Sequence, residues 1–314
     1  MTTPKVEEGY VPFRGHRVWY RIVGEQGDAA RLPLVCLHGG PGAASDYMEP
    51  LQNIAGNGAA NGRRVILYDQ LGCGKSDQPH DPSMWTIPLF VEELDVVRQA
   101  LKLDRIHLLG QSWGGVLAME YLLTNPSRQD AGATRNDGVA SLVLASTLAS
   151  AAEWEVEAAR LRAALPPEVQ AVLKKHEEAG TTNDPEYEQA VLVFYTRHLC
   201  RMQPWPESLL RSFAQLQQNP EVYHTMWGIN EFVVTGTLKS WDIRPRLGEI
   251  RLPTLITSGR HDESTPAINE TLRRGIAGAR WEVFEESGHM AHAEENDRYC
   301  RVVEGFLREV EASA

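Results

Sequence analysis

The sequence predicts an α/β fold with a mostly parallel, doubly wound sheet and an inserted helical cap. Short, nearly continuous apolar runs alternate with helical patterns at both ends of the chain, which is typical of parallel strands covered by helices on both faces. The alternation stops between about residues 150 and 247, where helical stretches rich in Trp, Tyr and Pro show no convincing strand. We therefore expect a core at 1–149, a helical cap at 150–247 and the rest of the core at 248–314.

The first part of the core is predicted from apolar periodicity. Residues 16–24 alternate between apolar and polar side chains, as in an edge strand. Further strands are expected from the apolar runs at 32–40, 63–70, 105–112 and 139–146. Helices are predicted at 88–103, from apolar residues at helical spacing, and at 114–126, where Asn-Pro ends the pattern.

The second part of the core resumes the same alternation. A strand is predicted at 252–260, a helix near 267–276, a strand at 280–287 and a final helix from about residue 296. Open α/β sheets bind ligands outside the carboxyl ends of their strands. We therefore expect the helical insertion to cover that edge of the sheet.

Charge and cysteine content narrow the function. The formal net charge of −11 argues against a nucleic-acid or anionic-membrane partner, because both require a basic face. The N-terminus lacks the apolar region of a signal peptide, and no apolar run approaches the ~18 residues that span a bilayer. Cys36, Cys73, Cys200 and Cys300 lie far apart, so we expect reduced thiols in the cytoplasm rather than a zinc site or a disulfide framework.

Residues 110–115, Gly-Gln-Ser-Trp-Gly-Gly, follow an apolar run and open a helical pattern. That is the context of a G-x-S-x-G nucleophile elbow, in which glycines permit a tight turn that exposes a serine. Ser112 is therefore the predicted nucleophile. The Trp113 amide lies near a helix N-terminus and is predicted to donate to an oxyanion. The glycine-rich stretch at 37–42 is expected to supply the second donor, Gly40.

An acid and a histidine should follow the serine in the chain. Asp262 falls in the loop after the strand predicted at 252–260, and His289 falls just after the last strand. A serine hydroxyl is a weak nucleophile until a base removes its proton, so we predict His289 as the base and Asp262 as its orienting acid. His261 precedes the acid, which is the wrong order, and His292 is a candidate supporting residue.

Four alternative interpretations of these residues are a metal site, an esterase, an epoxide hydrolase or dehalogenase, and a binding protein without catalysis. The sequence has no H-E-x-x-H motif and no acid cluster beside His289 and His292, so neither a metal nor a cofactor is predicted. A carboxylesterase or lipase-like hydrolase of small esters stays open, because the same triad cleaves esters. An epoxide hydrolase or dehalogenase would carry Asp in place of Ser112. A non-catalytic binding protein is disfavoured by the intact set of Ser, Asp and His.

Taken together, these motifs resemble the proline iminopeptidase family of α/β-hydrolases. The specific pieces are His-Gly-Gly-Pro-Gly at 38–42 and the D-Q-x-G-x-G-x-S pattern within 68–77. The elbow and the stretches at 259–266 and 287–294 match as well. The resemblance covers nearly the whole chain, and cap stretches at 183–201 and 226–243 are similar to tricorn-associated aminopeptidases and L-amino-acid amidases.

The resemblance implies a cofactor-free serine hydrolase that acts on a small peptide or amino-acid amide with a free N-terminal amine. It also implies that Glu231, in the cap, and Glu263, directly after Asp262, hold that amine. The residues agree, because a desolvated ammonium needs carboxylate partners. From the residues alone, Glu263 could equally be solvated or paired with an arginine. Proline, alanine or an aromatic residue beside the amine, peptide or simple amide substrates, and any oligomeric state all stay open.

Overall fold

The computed structural model describes residues 5–25, 31–56, 62–129 and 138–313. Its strands are β1 Val6–Phe13, β2 His16–Val23, β3 Leu34–Leu37, β4 Val65–Tyr68, β5 Arg105–Gln111, β6 Gly138–Ala145, β7 Thr254–Gly259 and β8 Arg280–Phe284. They form one sheet in the order β1-β2-β4-β3-β5-β6-β7-β8. The pairs from β4 to β8 are parallel, so the predicted mostly parallel sheet is confirmed.

The antiparallel end of the sheet differs from the prediction. β2 is not an edge strand, because β1 pairs with it along its whole length and β4 pairs with its other side. The turn between β1 and β2 contains Arg14 and Gly15, both with positive φ (48° and 83°), as in the tight turns that join hairpin strands. No strand was predicted at β1, because Val6–Phe13 has three charged or glycine residues in succession and is largely exposed.

Ten helices accompany these strands in the described residues. They are α1 Ile87–Ala100, α2 Trp113–Thr124, α3 Ala151–Ala163, α4 Pro167–Ala179, α5 Pro185–His198, α6 Glu207–Gln218, α7 Glu221–Met226, α8 Pro266–Gly275, α9 Ala291–Glu294 and α10 Asn296–Ala312. The predicted core helices correspond to α1, α2, α8 and α10. A 3₁₀ helix at Asp46–Ala55 was not predicted.

Helices α3–α7 lie between β6 and β7, and we propose that they form the cap expected at 150–247. Residues 151–243, all of which are described, contain no strand. The ends of the insertion pair with each other: Ala151 N donates to Trp241 O (3.0 Å), and Ile243 N donates to Ala149 O (2.9 Å). The insertion therefore leaves and re-enters the core at one place.

The sheet is buried on both faces. Along β3, Val35 and Leu37 belong to one apolar cluster with residues of α1, α2 and α8. Leu34 and Cys36 point the other way and pack with residues of the 3₁₀ helix and of α10. This alternation is what the near-continuous apolar runs of the sequence require, because every second side chain of a strand faces the opposite layer.

Two features of the described residues concern membrane association and cysteine chemistry. In the ranges that the structure describes, no helix combines the length and apolar character needed to cross a bilayer. Cys36, Cys73, Cys200 and Cys300 are all free thiols. The sequence at 126–139 is polar and predicts a surface loop, but its residues 130–137 lie outside the described residues.

The cap is attached directly to the carboxyl edge of the sheet, where loops after several strands meet. The carbonyl of His198, the last residue of α5, accepts hydrogen bonds from the amides of Glu263 (3.2 Å) and His289 (3.0 Å). The next carbonyl, of Leu199, accepts one from Met290 (3.1 Å). One cap position therefore fixes the backbone of the loops after both β7 and β8.

We predict that Gly114→Ala strongly destabilises the fold. A Cβ at Gly114 would lie 2.0 Å from the Leu37 carbonyl oxygen, and backbone in the sheet cannot yield. Overpacking of this kind should lower the free energy of unfolding by more than about 2 kcal/mol, measured by urea titration. Gly305→Ala is the control, because its Cβ would meet open space and alanine favours a helix by about 0.5–1 kcal/mol. Equal stability changes in the two variants would contradict this account of the elbow.

Candidate active site

Ser112 occupies the sharp turn between β5 and α2. Its φ of 55° and ψ of −123° are unfavourable for a residue with a side chain, so the surrounding bonds must hold them. Its amide donates to Ala145 O (2.9 Å). Its carbonyl accepts from Gly115 N (2.9 Å) and Thr147 Oγ1 (2.7 Å). The turn is thus fixed to the neighbouring strand, and Ser112 lines a cavity under the cap.

Asp262 and His289 are joined by a short hydrogen bond. The distance from His289 Nδ1 to Asp262 Oδ1 is 2.7 Å. Asp262 is 1% exposed and also accepts hydrogen bonds from the amides of Ser264 (2.8 Å) and Gly259 (3.3 Å). This arrangement holds a carboxylate against Nδ1 and leaves Nε2 of His289 for chemistry.

The charge of His289 depends on several acids. Burial disfavours the imidazolium, but the negative charge and hydrogen bond of Asp262, together with the charges of Glu263 and Glu231, outweigh burial and raise the pKa of His289 to about 9. Ser112 Oγ has no hydrogen-bond partner among the described residues. Both residues nevertheless line one cavity, and hydrogen bonds of this type commonly tighten when substrate binds.

The predicted oxyanion donors lie beside the serine. Gly40 and Trp113 both line a pocket that also contains Ser112. Their backbone N–H groups make no hydrogen bond to other described residues, so both are available to an incoming oxygen. Two backbone donors next to a serine are the arrangement that stabilises a tetrahedral oxyanion.

Gln70 joins the segments that carry these two donors. In the sequence, Gln70 stands out only as part of the D-Q-x-G-x-G-x-S pattern. Its Nε2 donates to His38 O (3.1 Å), and its Oε1 accepts from Trp113 Nε1 (2.9 Å). Its backbone N–H also donates to His38 Nε2 (3.0 Å). The loop after β4 thus fixes the glycine-rich loop and the start of α2 relative to each other. Side-chain pairing between three loops leaves no periodic signal in a sequence.

Glu263 is a buried carboxylate with an unsatisfied oxygen. It is 3% exposed, and its Oε2 has no hydrogen-bond partner in the described part of the chain. Its Oε1 lies 3.9 Å from His289 Nε2. Burial, followed by the charge of Glu231, raises the pKa of Glu263 well above its usual value, and His289 opposes that shift. Glu263 is neither solvated nor paired with an arginine of the described residues.

Glu231 lines the same cavity from the cap. Its Oε2 accepts a hydrogen bond from Tyr223 OH at 2.5 Å, and Trp154 Nε1 donates to its backbone carbonyl (3.0 Å). Burial raises the pKa of Glu231, while the Tyr223 hydrogen bond opposes the rise. No Lys or Arg is among the described residues that line this cavity. Among the described lining residues, His289 is therefore the one basic side chain that faces the two glutamates.

The competing histidines have structural partners. His292 Nε2 donates to Tyr47 O (3.0 Å), and burial lowers the pKa of His292 to about 4. His261 contributes its backbone, because its carbonyl accepts from His198 Nδ1 (2.8 Å). One group with metal-ligand spacing occurs in the described residues, His176, Asp184 and Glu186 on the cap, where Glu186 already pairs with Lys175.

Two pockets meet at Ser112. The smaller one has aromatic and aliphatic walls, formed by Trp154, Trp227, Trp241, Leu148 and Leu238. The larger one contains His289 and Glu263 and continues along the cap, where its walls include Tyr195, Leu209, Phe213 and Leu216. Gly40, Ser112 and Glu231 line both pockets. A substrate bound at Ser112 thus has one compartment on each side.

Comparison with known proteins agrees with this geometry. The family model described as alpha/beta hydrolase fold matches residues 33–296. A proline iminopeptidase of Lactobacillus helveticus (strain DPC 4571) is 40% identical over 305 residues, which cover 96% of this chain and 98% of the relative. One from Clostridium botulinum is 41% identical over 303 residues, with 96% and 98% covered. The crystal structure of a Mycobacterium smegmatis proline iminopeptidase superposes with a TM-score of 0.87 at 39% identity, covering 98% of this chain and 99% of that one.

We predict that Ser112 reacts covalently with a fluorophosphonate probe. The wild-type protein should be labelled and Ser112→Ala should not, measured by in-gel fluorescence. The reason is that an activated serine attacks phosphorus and the oxyanion donors stabilise the adduct. Ser146→Ala, at another positive-φ serine of the described residues, is the matched control and should label like the wild type. Labelling that survives in Ser112→Ala would contradict the assignment.

Proposed function

The chain belongs to the proline iminopeptidase family of α/β-hydrolases, and on that premise we propose that it is a serine aminopeptidase that removes proline from the N-terminus of peptides. The observation that carries the proposal is the pair of buried carboxylates, Glu231 and Glu263, in the same cavity as Ser112 and His289. A free N-terminal amine is positively charged near neutral pH. Its charge supplies a cation to two buried acids whose described cavity lining contains no lysine or arginine, and whose basic neighbour, His289, must be neutral to act as base.

Acylation is the first half of the proposed reaction. His289 Nε2 takes the proton of Ser112 Oγ while that oxygen attacks the carbonyl carbon of the first residue. The carbonyl oxygen becomes an oxyanion, which the amides of Gly40 and Trp113 receive. The carbon–nitrogen bond then breaks. The leaving nitrogen takes the proton from His289, and the first residue stays attached to Ser112 as an ester.

Deacylation repeats the sequence with water. His289 removes a proton from a water molecule, whose oxygen attacks the ester carbon and forms a second oxyanion at Gly40 and Trp113. The bond to Ser112 Oγ breaks, and that oxygen regains the proton from His289. Overall, one water is consumed, and one free amino acid and a shortened peptide are released. Asp262 keeps the imidazole oriented in both halves and stabilises its charge.

Proline fits the two compartments. The protonated nitrogen of an N-terminal proline has two N–H bonds, which matches one carboxylate from the cap and one from the core. Its ring is apolar and compact, as the small pocket with Trp154 and Trp227 requires. The centroids of the two indole rings are 5.5 Å apart and the ring planes meet at 88°, so the rings form two perpendicular walls of the pocket. Apolar contact with such walls favours a ring over a polar side chain.

The proposed activity is tested with a panel of aminoacyl p-nitroanilides and their N-acetylated counterparts. Prolyl p-nitroanilide should be the best substrate, and acetylation should abolish most of the rate, because it removes the charge that the glutamates bind. An esterase is the alternative outcome. It would hydrolyse N-acetylated and free-amine substrates at similar rates and would favour simple esters over all of them.

We predict that Glu231→Gln and Glu263→Gln each lower kcat/KM for prolyl p-nitroanilide by roughly 30-fold to several thousand-fold. Removal of one partner from a buried charge pair costs about 2–5 kcal/mol, and ~1.4 kcal/mol corresponds to one decade. Much of the loss should appear in KM, because the ammonium is charged in both ground and transition states.

Two controls separate charge recognition from general damage. Hydrolysis of p-nitrophenyl acetate, a neutral ester, should change far less in both variants, since Ser112, His289 and the oxyanion donors remain. Glu178→Gln removes the same charge from an exposed cap position (69% side-chain exposure) and should leave prolyl p-nitroanilide hydrolysis unchanged. Equal losses on the ester and the prolyl substrate would defeat the proposed roles of Glu231 and Glu263.

We also predict that the acid limb of kcat lies at lower pH than the acid limb of kcat/KM. His289 must be neutral to act as base, and in the free enzyme its pKa is raised to about 9 by Asp262 and the two glutamates against the effect of burial. Bound ammonium neutralises the glutamates and so lowers that pKa in the complex. Full pH profiles measure both limbs. Coincident limbs, or a kcat limb at higher pH, would contradict the electrostatic coupling.

A further inference from the structure

The larger pocket has features that the removal of proline does not by itself require. It extends past His289 along α5 and α6, and its far walls are apolar. During acylation His289 must give its proton to the leaving nitrogen, so the leaving peptide lies on the side of Ser112 that contains His289. His289 and Met290 line the larger pocket and are absent from the described lining of the smaller one. The larger pocket therefore includes the leaving-group side, together with the proposed amine-binding residue Glu263 beside His289.

We propose that this pocket selects the second residue of the substrate, and that it favours a bulky apolar side chain there over a small or acidic one. The inference rests on the proposed aminopeptidase function and adds the preferred leaving group to it. Four side chains form the apolar wall: Leu209, Phe213 and Leu216 from α6, and Tyr195 from α5. We call these four residues the α6 wall.

The α6 wall is built as a rigid surface. Phe213 packs against Tyr195 (ring centroids 5.7 Å apart) and against Trp205 (5.3 Å). Behind it, α6 is bound to the 3₁₀ helix, because Arg211 contacts Asp46 (3.1 Å) and Gln215 Nε2 donates to the same carboxylate (2.9 Å). Because these contacts already hold the wall in place, an apolar side chain can bind to it without the free-energy cost of ordering the wall.

The charge around the pocket excludes an acidic second residue. Glu231 and Glu263 line the pocket, and no Lys or Arg occurs among the described lining residues. A carboxylate on the second side chain would leave water without a lysine or arginine partner, because the substrate's ammonium is already engaged by the two glutamates. Ser212, which also lines the pocket, is already engaged, because its Oγ accepts a hydrogen bond from Tyr47 N (3.0 Å).

The test measures kcat/KM of the wild-type enzyme for Pro-Phe-amide, Pro-Gly-amide, Pro-Asp-amide and Pro-Asn-amide, by mass spectrometry of released proline. The amide form removes the free carboxylate that a dipeptide would bring. Pro-Phe-amide should exceed Pro-Gly-amide by about tenfold or more, as expected when a large apolar group enters a preformed pocket. Pro-Asn-amide should exceed Pro-Asp-amide by a similar factor, since the two differ in charge and hardly in shape.

Variants of α6 assign these preferences to the wall. Leu216→Ala should reduce the Phe/Gly ratio several-fold, and Leu216→Lys should raise the Asp/Asn ratio by supplying the missing cation. Leu210→Ala is the control, because Leu210 lies on the outer face of the same helix with 50% exposure, and it should leave both ratios unchanged.

The outcomes separate this inference from the proposed function. Comparable rates for Phe and Gly amides, or ratios that respond equally to Leu210→Ala and Leu216→Ala, would overturn the leaving-group preference while leaving the aminopeptidase in place. If the enzyme releases proline from none of the four amides, the proposed function is overturned, and the preference with it.

Discussion

Asp262 and Glu263 are neighbours in sequence and both are buried, yet their charges are balanced very differently. Asp262 has an imidazole and two amides around its carboxylate. Glu263 has an oxygen without a partner in the described residues, and a second buried acid, Glu231, raises its pKa further. Burial of an unpaired charge is costly, so the two acids depend on the imidazolium of His289 in the free enzyme and, we propose, on the substrate's ammonium once His289 is neutral. The rest of the active-site architecture is arranged around that requirement.

Backbone hydrogen bonds between cap and core hold the charged side chains of the site in fixed relative positions. The carbonyl of His198 accepts hydrogen bonds from the backbone amides of both Glu263 and His289, so a single cap residue positions the proposed amine ligand and the proposed base. Gln70 likewise fixes the relative position of the two segments that carry the proposed oxyanion donors. The cap also supplies Glu231 and the α6 wall, defined above. The cap is therefore part of the reaction site, and its displacement would disturb recognition and proton transfer together.

The sequence predicts that Ser112, Asp262 and His289 lie near one another, because parallel strands bring their carboxyl ends to one edge of the sheet. Ser112, Asp262 and His289 each follow a recognisable strand, and strand order then places them together. β1 was missed because its exposed residues show no apolar alternation. The role of Gln70 and the shapes of the two pockets depend on contacts between distant loops and cap helices, which periodicity does not encode. Glu231 came from family resemblance alone for the same reason.

The central claim is that the substrate's positive charge completes the active site. It is tested most directly by comparing kcat/KM for prolyl p-nitroanilide with that for cyclopentanecarbonyl p-nitroanilide, in which a CH₂ group replaces the charged nitrogen of the same five-membered ring. The reacting carbonyl, the leaving group and the fit to the small pocket are then matched. The account predicts a loss of at least about thirtyfold for the uncharged ring, in line with the ~2–5 kcal/mol assigned to a buried charge pair. Rates that agree within about threefold would contradict it.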